Sequence, residues 1–403
     1  MCGAPLQHTF VDLGMSPLAN SLLTSDGINA MEPFYPLRVL VCERCFLVQL
    51  EEFETPEVMF SNYPYFSSFS TSWLEHSRRY VGHITERFPL DASSLVVEVG
   101  SNDGYLLQYL TERGISVLGV EPAETVAKVA IQKGIPTLVK FFGAETARSL
   151  VPESAADLLI ANNVLAHVPA LNDFVQGMKI LLRGGGLITI EFPHLLSLIE
   201  RNQFDTIYHE HFSYFSFGTA CGIFRKHGLR LFDVEELPTH GGSLRVYGCH
   251  EDDGSKSDSE RKQSVLRRER IAGCDSLELY TGFAHRVQEA KREILDFLID
   301  VKRRGLTLAG YGAPAKGNTL LNYCGIGTDF LDYTVDVSPY KQSHFLPGTH
   351  LPVKAPETLR QTRPDVVLIL PWNLTTEIVE QHSYIRDWGG RFATFWPEPS
   401  FLT

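Results

Sequence analysis

Two kinds of hydrophobic patterning alternate along this chain. Short apolar runs with few polar interruptions recur at 95–99, 116–120, 158–162 and 186–192. Such runs read as buried strands. Between and around them, 71–88, 105–113, 171–182 and 195–202 repeat apolar residues every three or four positions, which predicts amphipathic helices. Strands alternating with helices imply a parallel sheet covered by helices on both faces. Residues 229–248 add two short strands around a turn at 239–242, and a second α/β alternation follows, with strands at 306–311, 334–337 and 365–370. Between the two lies a charged stretch at 254–270, serine-rich at its start. It passes into 277–304, where Phe283, Val287, Ile294, Phe297, Leu298 and Val301 mark a helical connector packing on a neighbouring domain. Residues 1–60 carry no sustained period and are predicted irregular. The expected fold class is α/β, with boundaries at 1–60, 61–250, 251–305 and 306–403.

The first strand ends in a distinctive turn. Val96-Val97-Glu98-Val99 runs into Gly100-Ser101-Asn102-Asp103-Gly104, and the next strand ends at Glu121-Pro122, with Glu121 23 residues after Glu98. Strand, glycine turn, helix, strand and acid make half of a nucleotide-binding sheet. The turn lacks the G-x-G-x-x-G of dinucleotide enzymes, so no pyrophosphate cradle is built. A glycine turn that admits a ligand close to the backbone, with an acid that can accept both ribose hydroxyls, points to S-adenosylmethionine rather than NAD. Ligands of such sheets bind at the carboxyl ends of the strands. The cofactor-lining set is therefore Glu98, Gly100, Asn102, Asp103, Gly104, Glu121, Pro122, Phe142, Asn162 and Asn163. His167, just past the strand at 158–162, either faces the reacting substrate or starts a helix.

At 403 residues the chain is expected to hold two or three domains. A net charge of −12 without a basic tract excludes a nucleic-acid partner. No apolar run is long enough to span a membrane, and no signal peptide is evident, so no membrane partner and a cytoplasmic location are expected. Seven cysteines, an odd number, fit reduced thiols. Cys42-Glu43-Arg44-Cys45 is half of a structural zinc site. With Cys2 it supplies three thiolates, the fourth ligand coming from His8 or from a cysteine ahead of residue 1. A redox pair or unligated thiols are the other readings.

Tyr208-His209-Glu210-His211 is the densest group of proton-transfer side chains in the chain. A histidine near neutral pKa suits a general base, with metal binding and a packed core histidine as alternatives. Tyr63, in Tyr63-Pro64-Tyr65-Phe66-Ser67-Ser68, reads by itself as packing. The loop His240-Gly241-Gly242-Ser243-Leu244-Arg245 is either a ligand approach or a tight hairpin. In the second α/β unit, Tyr311, Gly312, Ala313, Lys316 and Asn318 form a glycine turn entering a helix, and Asp336 and Lys341 follow the next strand. Exposed amides and one lysine there can hold a pyrophosphate.

Taken in order, these motifs resemble a known family. They are Val11-Asp12-Leu13-Gly14 and Pro17-Leu18-Ala19-Asn20; Cys42-x-x-Cys45-x-x-x-Gln49-Leu50; Tyr63-Pro64-Tyr65-x-Ser67-Ser68; the Val97–Gly104 turn; and His167-x-Pro169. Phe204-Asp205-x-x-x-x-Glu210-His211-Phe212, His240-Gly241-Gly242, Gly310-Tyr311-Gly312-Ala313-x-Ala315-Lys316, Lys341-Gln342 and Pro347-Gly348 complete the set. The chain is similar to the S-adenosylmethionine-dependent C-methyltransferases of nucleotide-linked 4-keto-deoxysugars. The resemblance implies a zinc-bearing amino-terminal piece, a class I methyltransferase sheet and a Rossmann-like carboxyl-terminal domain holding the nucleotide. It implies His211 as general base, with Tyr208 and Glu210 beside it, and His167 and Tyr63 lining the site. His240, Gly241, Gly242 and Arg245, with the residues of the second glycine turn, are the substrate-binding candidates. Family members ligate zinc through four cysteines, and here Cys2, Cys42 and Cys45 match.

The expected reaction is methyl transfer to a carbon, C3, next to the 4-keto group of a nucleotide-linked sugar, with dTDP as the nucleotide, by a monomer or small homo-oligomer. A methyltransferase with a hydroxyl or amine acceptor, a nicotinamide-dependent sugar oxidoreductase and a silent nucleotide-sugar binder are the rivals.

Overall fold

In the computed structural model the strand Leu95–Val99 is an interior strand, fifth in order, of a seven-stranded sheet. The structure describes residues 1–60, 66–151 and 155–402. Its chain divides into two units. One comprises Met1–Pro5, Cys42–Leu196 and Phe212–Ser276; the other comprises Leu6–Val41, Ser197–His211 and Leu277–Thr403. Among the described residues, no helix is long and apolar enough to cross a membrane.

The first unit holds the seven-stranded sheet. Its order is Leu229–Leu237, Ser243–His250, Leu182–Pro193, Ala156–Asn162, Leu95–Val99, Ser116–Val120 and Thr137–Leu138. The last five run parallel, and the first two join antiparallel at one edge. Alternate residues of the parallel strands face opposite layers. Val97, Val99, Leu159, Ala161, Ile188 and Ile190 pack with the helix Leu171–Leu181, whereas Val96, Leu158, Ile160 and Leu187 pack with the helix Thr71–Arg87. Both faces are apolar, which is why these strands read as runs rather than as alternations. The helix Thr71–Arg87 starts at Ser70, whose hydroxyl accepts the Trp73 amide at 3.2 Å.

The second unit holds a six-stranded sheet ordered Val353–Lys354, Thr334–Val335, Leu308–Tyr311, Val366–Ile369, Arg391–Thr394 and Ser400–Phe401. All are parallel except the last. The helix Phe283–Arg303 belongs here, and Phe283 stacks on Phe10 of the strand His8–Ser16 at 4.5 Å.

Residues 1–60 depart from expectation. Strands form at His8–Ser16, Tyr35–Val41 and Val48–Leu50. The pairing of the first two slips between Thr9 and Val11 and again between Asp12 and Met15. Each slip resets the two-residue alternation, so no strand period survives in the sequence.

Candidate functional site

In the first unit, the cofactor candidates gather at the carboxyl edge of the sheet. The Asn102 and Ala123 amides donate to the two oxygens of Glu121 at 3.0 and 2.8 Å, which ties the glycine turn to the end of the next strand. Burial raises the Glu121 carboxyl above its ordinary pKa, and those two amides oppose the shift. Gly100, Asn102 and Gly104 have φ of 68°, 49° and 76°. A Cβ on Gly100 would lie 2.4 Å from Val164 Cγ2, and one on Gly104 would lie 2.5 Å from Ile135 Cδ1. The glycines are thus required by protein packing as well as by backbone conformation.

A set of buried oxygens at this edge has no hydrogen-bond partner among the described residues. It comprises Ser101 Oγ, Asp103 Oδ1, Asn162 Oδ1 and Asn163 Oδ1. Beside them, burial pushes the Glu98 carboxyl well above the usual carboxylate range; a side-chain hydrogen bond to Tyr105 opposes the shift, and the nearby Glu121 and Asp103 charges add to it. Unmatched buried acceptors call for a ligand rich in donors. S-adenosylmethionine, with an ammonium group, two ribose hydroxyls and an adenine amine, meets that demand.

Phe66-Ser67-Ser68 is held against the same turn. The Ser67 amide donates to Asn102 Oδ1 at 2.9 Å, and the Ser68 hydroxyl donates to Asp103. The sequence offered no signal for this pairing. Tyr63 lies outside the described residues. Phe142 meets Phe174 edge-on at 5.4 Å, half-buried against the core, and Pro122 follows Glu121 directly. His167 ends the short turn Leu165–His167 and meets Phe60 edge-on at 5.6 Å.

The loop at 239–242 contributes differently from Arg245. His240 has φ of 53° and faces Trp73 at 5.4 Å and Asn163 at 3.5 Å, while the Gly242 carbonyl accepts the His194 amide. Gly241 is buried between them in the chain. Arg245 points into a buried ion cluster that pattern reading missed. Its guanidinium binds Glu191, at 2.8 Å through Nε, and Glu235 at 3.2 Å, and it lies over the Tyr80 ring. His76 reaches the same Glu191 carboxylate at 2.9 Å. Burial alone would raise the Glu191 carboxyl; His76 and Arg245 more than offset it and hold the group below its ordinary value.

In the second unit the Tyr208–His211 cluster is built on the turn Phe204–Thr206. His211 Nδ1 lies 2.9 Å from the Thr206 carbonyl oxygen. A carbonyl only accepts, so Nδ1 carries the proton and Nε2 carries the lone pair of the neutral ring. The Tyr208 ring lies over the His211 ring at 4.1 Å. Both oxygens of the buried Glu210 carboxylate face the Asn20 amide nitrogen, at 2.7 and 2.9 Å. His209 is turned elsewhere: Nε2 donates to the Pro36 carbonyl at 3.3 Å, and burial depresses its pKa. Two histidines with such different partners do not make a His-x-His metal pair.

The glycine turn of this unit is also partly occupied by the protein itself. The Ala313 amide donates to Asp336, and the Lys341 ammonium donates to the Ala313 carbonyl, each at 2.8 Å. The Tyr311 hydroxyl bonds His382 at 2.7 Å. Gly312 has φ of 88°, and a Cβ there would lie 2.5 Å from Pro371. Lys316 Nζ bonds Asn373 at 2.6 Å and sits 4.5 Å from the centre of the Trp372 ring. Asn318 is buried, with both polar atoms of its side chain unpartnered among the described residues.

Cys2, Cys42 and Cys45 converge in the first unit, their sulfurs all within 4.8 Å of one another and those of Cys2 and Cys42 3.5 Å apart. Tetrahedral zinc with four thiolates needs sulfurs separated by about 3.8 Å. The Phe46 amide donates to the Cys42 carbonyl, and the Cys42 amide donates to Leu47, which curls the C-x-x-C segment into a knuckle. The set has the donors and the spacing for zinc, with three ligands among the described residues.

Known proteins resemble this chain along its whole length. Family models match residues 1–60 as a proposed zinc binding domain, 73–234 as a methyltransferase domain and 238–397 as a C-methyltransferase C-terminal domain. The C-methyltransferase NovU of Streptomyces niveus is 37% identical over 100% of this chain and 96% of its own length. A ubiquinone biosynthesis O-methyltransferase of Bordetella avium is 30% identical over 23% of this chain and 40% of its own. Among solved structures, magnesium protoporphyrin IX methyltransferase of Synechocystis PCC 6803 with bound SAH is 16% identical, covering 43% of this chain and 82% of that one, with a TM-score of 0.36. The full-length likeness to NovU, carried through all three matched regions, places the chain in the C-methyltransferase family, as an S-adenosylmethionine-dependent C-methyltransferase with a zinc-binding amino-terminal region.

Proposed function

We propose that this enzyme methylates C3 of a nucleotide-linked 4-keto-deoxysugar and that His211 is the base. The observation that carries the reading is the contact between His211 Nδ1 and the Thr206 carbonyl, which leaves Nε2 as the proton-accepting atom.

A carbon next to a ketone is acidic enough for an imidazole to deprotonate when the resulting enolate oxygen is stabilised. His211 Nε2 takes the C3 proton, and the electron pair of the C–H bond becomes the enolate. Tyr208, whose ring lies against that of His211, is the proposed donor of a hydrogen bond to that oxygen. Glu210, held by Asn20 and adjacent to His211 in the chain, is the proposed partner that favours the imidazolium that forms. S-adenosylmethionine supplies the electrophilic methyl group when bound, and Glu98, Glu121 and the Gly100–Gly104 turn are the residues that would hold it. As the enolate carbon forms the new C–C bond, the methyl–sulfonium bond would break with its electron pair staying on sulfur, so that S-adenosylhomocysteine is the leaving product; the proton on His211 passes to solvent. Lys316 is the proposed diphosphate contact, dTDP being the proposed nucleotide.

The test uses a dTDP-linked 4-keto-6-deoxyhexose in deuterated buffer without the methyl donor. The wild-type enzyme should exchange the C3 proton, and His211→Asn should not. Exchange by the variant at the wild-type rate would remove His211 as base. Calorimetric titration with S-adenosylhomocysteine and then dTDP should give one site for each. Absence of dTDP binding would remove the nucleotide-linked acceptor.

A further inference from the structure

The turn that carries the Thr206 carbonyl is anchored on both sides, to a helix and a short turn that follow strands of the six-stranded sheet. On one side is Asp205, wholly buried, whose carboxylate accepts the Trp372 indole N–H at 2.7 Å. On the other is Ile207, whose carbonyl accepts the Thr319 hydroxyl at 3.0 Å. Thr206 itself returns its hydroxyl to the Gln203 carbonyl at 2.8 Å. Phe204, at the start of the turn, packs edge-on to Tyr323 at 5.4 Å, and Trp372 stacks on Trp396 at 5.6 Å. Thr319 and Tyr323 belong to the helix Ala315–Cys324, which follows the glycine turn, and Trp372 begins the short turn after the strand Val366–Ile369.

Resting on the reading of His211 as base, we propose that Asp205 is a positioning residue for it. By fixing the Thr206 peptide from one side, with Thr319 fixing it from the other, Asp205 holds the carbonyl that selects the Nδ1–H tautomer of His211. Without that carbonyl in place the two neutral tautomers of an imidazole are close in energy, and only one of them presents a lone pair at Nε2.

A carboxyl group is a costly choice for this anchor. Burial pushes Asp205 up to about 6, against the opposing pull of Lys316 and Trp372. The groups facing Asp205 from neighbouring elements are Lys316, with its own pKa depressed by burial, and Cys324, pushed up to about 12. The Lys316 ammonium lies over the same Trp372 ring whose N–H holds Asp205. The anchor and the proposed diphosphate contact therefore share one side chain.

The experiment combines a spectrum with kinetics. Protein labelled with 15N-histidine reports the tautomer of each ring by nitrogen chemical shift, and His211→Asn identifies the His211 signals. The wild type should show Nδ1–H. Asp205→Ala and Trp372→Phe should shift His211 toward a tautomer mixture and lower kcat about tenfold or more, with KM for a dTDP-linked 4-keto-6-deoxyhexose within about twofold. Asp205→Asn, whose amide oxygen accepts the same indole N–H, should restore the tautomer and most of kcat. Trp372→Phe removes the indole N–H while keeping an aromatic ring, and covers the case in which Asp205→Ala does not fold. A wild-type tautomer in both disrupted variants would overturn the proposal, as would Asp205→Asn behaving like Asp205→Ala. Because the spectrum needs no substrate, failure of the sugar or base reading is seen separately, as His211→Asn retaining turnover.

Discussion

His211 Nδ1 and the Thr206 carbonyl oxygen lie 2.9 Å apart, and this contact decides which atom of the ring accepts a proton. Replacing His211 by Asn removes the base and leaves the turn. Turnover should fall by about 10²–10⁴-fold, the usual worth of general-base catalysis. His211 is not among the residues proposed to hold the cofactor, so S-adenosylhomocysteine affinity measured by calorimetry should stay within about twofold. Unchanged turnover would remove the assigned role.

Asn20 holds both oxygens of Glu210 at 2.7 and 2.9 Å. Asn20→Ala takes away these donors from a buried carboxylate. Hydrogen bonds to charged groups are worth about 1.5–3 kcal/mol. Urea unfolding should show a loss of that order, accompanied by lower kcat. A loss of stability with full activity would separate Glu210 from the chemistry.

Gly100 combines φ of 68° with a Cβ position 2.4 Å from Val164 Cγ2. Gly100→Ala should destabilise the first unit by about 1–3 kcal/mol and abolish measurable S-adenosylhomocysteine binding. Adding Val164→Ala relieves the clash but not the backbone strain, so recovery should be partial. Full recovery in the double variant would show that sterics alone demand glycine.

Zinc binding predicts one metal per chain by atomic absorption. Cys45→Ser should lower zinc content and thermal stability together, since a structural metal contributes folding energy directly. Wild-type Tm after complete chelation would show that the knuckle folds without metal.

The Asp205 carboxyl is pushed up to about 6, whereas an unfolded aspartate titrates near 3.9. Between those values the folded protein binds a proton that the unfolded chain has released. Stability must therefore fall as pH rises from about 4 through about 6, and stay lower above that, by up to a few kcal/mol from this group. Asp205→Asn titrates nowhere in the range. Its stability relative to wild type should rise between about pH 4.5 and pH 7.5 in urea unfolding. A difference that is flat with pH would place the titration elsewhere.

Local patterning made the main sheet legible. Leu95–Val99, its turn and Ser116–Val120 are contiguous, and burial on both faces leaves an apolar run that needs no tertiary information to recognise. Glu121 was legible for the same reason, because one βα unit sets its distance from Glu98. The strands His8–Ser16 and Tyr35–Val41 were not, because two register slips erase the alternation on which such a reading depends.

The sequence by itself therefore determined the chemistry present: the glycine turns, the Tyr208–His211 cluster and the three thiols. The tertiary structure decided what each group is bonded to. Arg245 reads as an available cation until Glu191, 54 residues away, claims it. Glu210 waits on Asn20, 190 residues away, and Asp205 on Trp372, 167 residues away. Segment 197–211 follows the methyltransferase strands in the chain yet folds with the carboxyl-terminal unit. Hydrogen bonds and burial act over a few ångströms of space regardless of chain separation. No periodicity records which distant partner will fill that space, so the protonation of His211 and the charge environment of Asp205 exist only once the chain has folded.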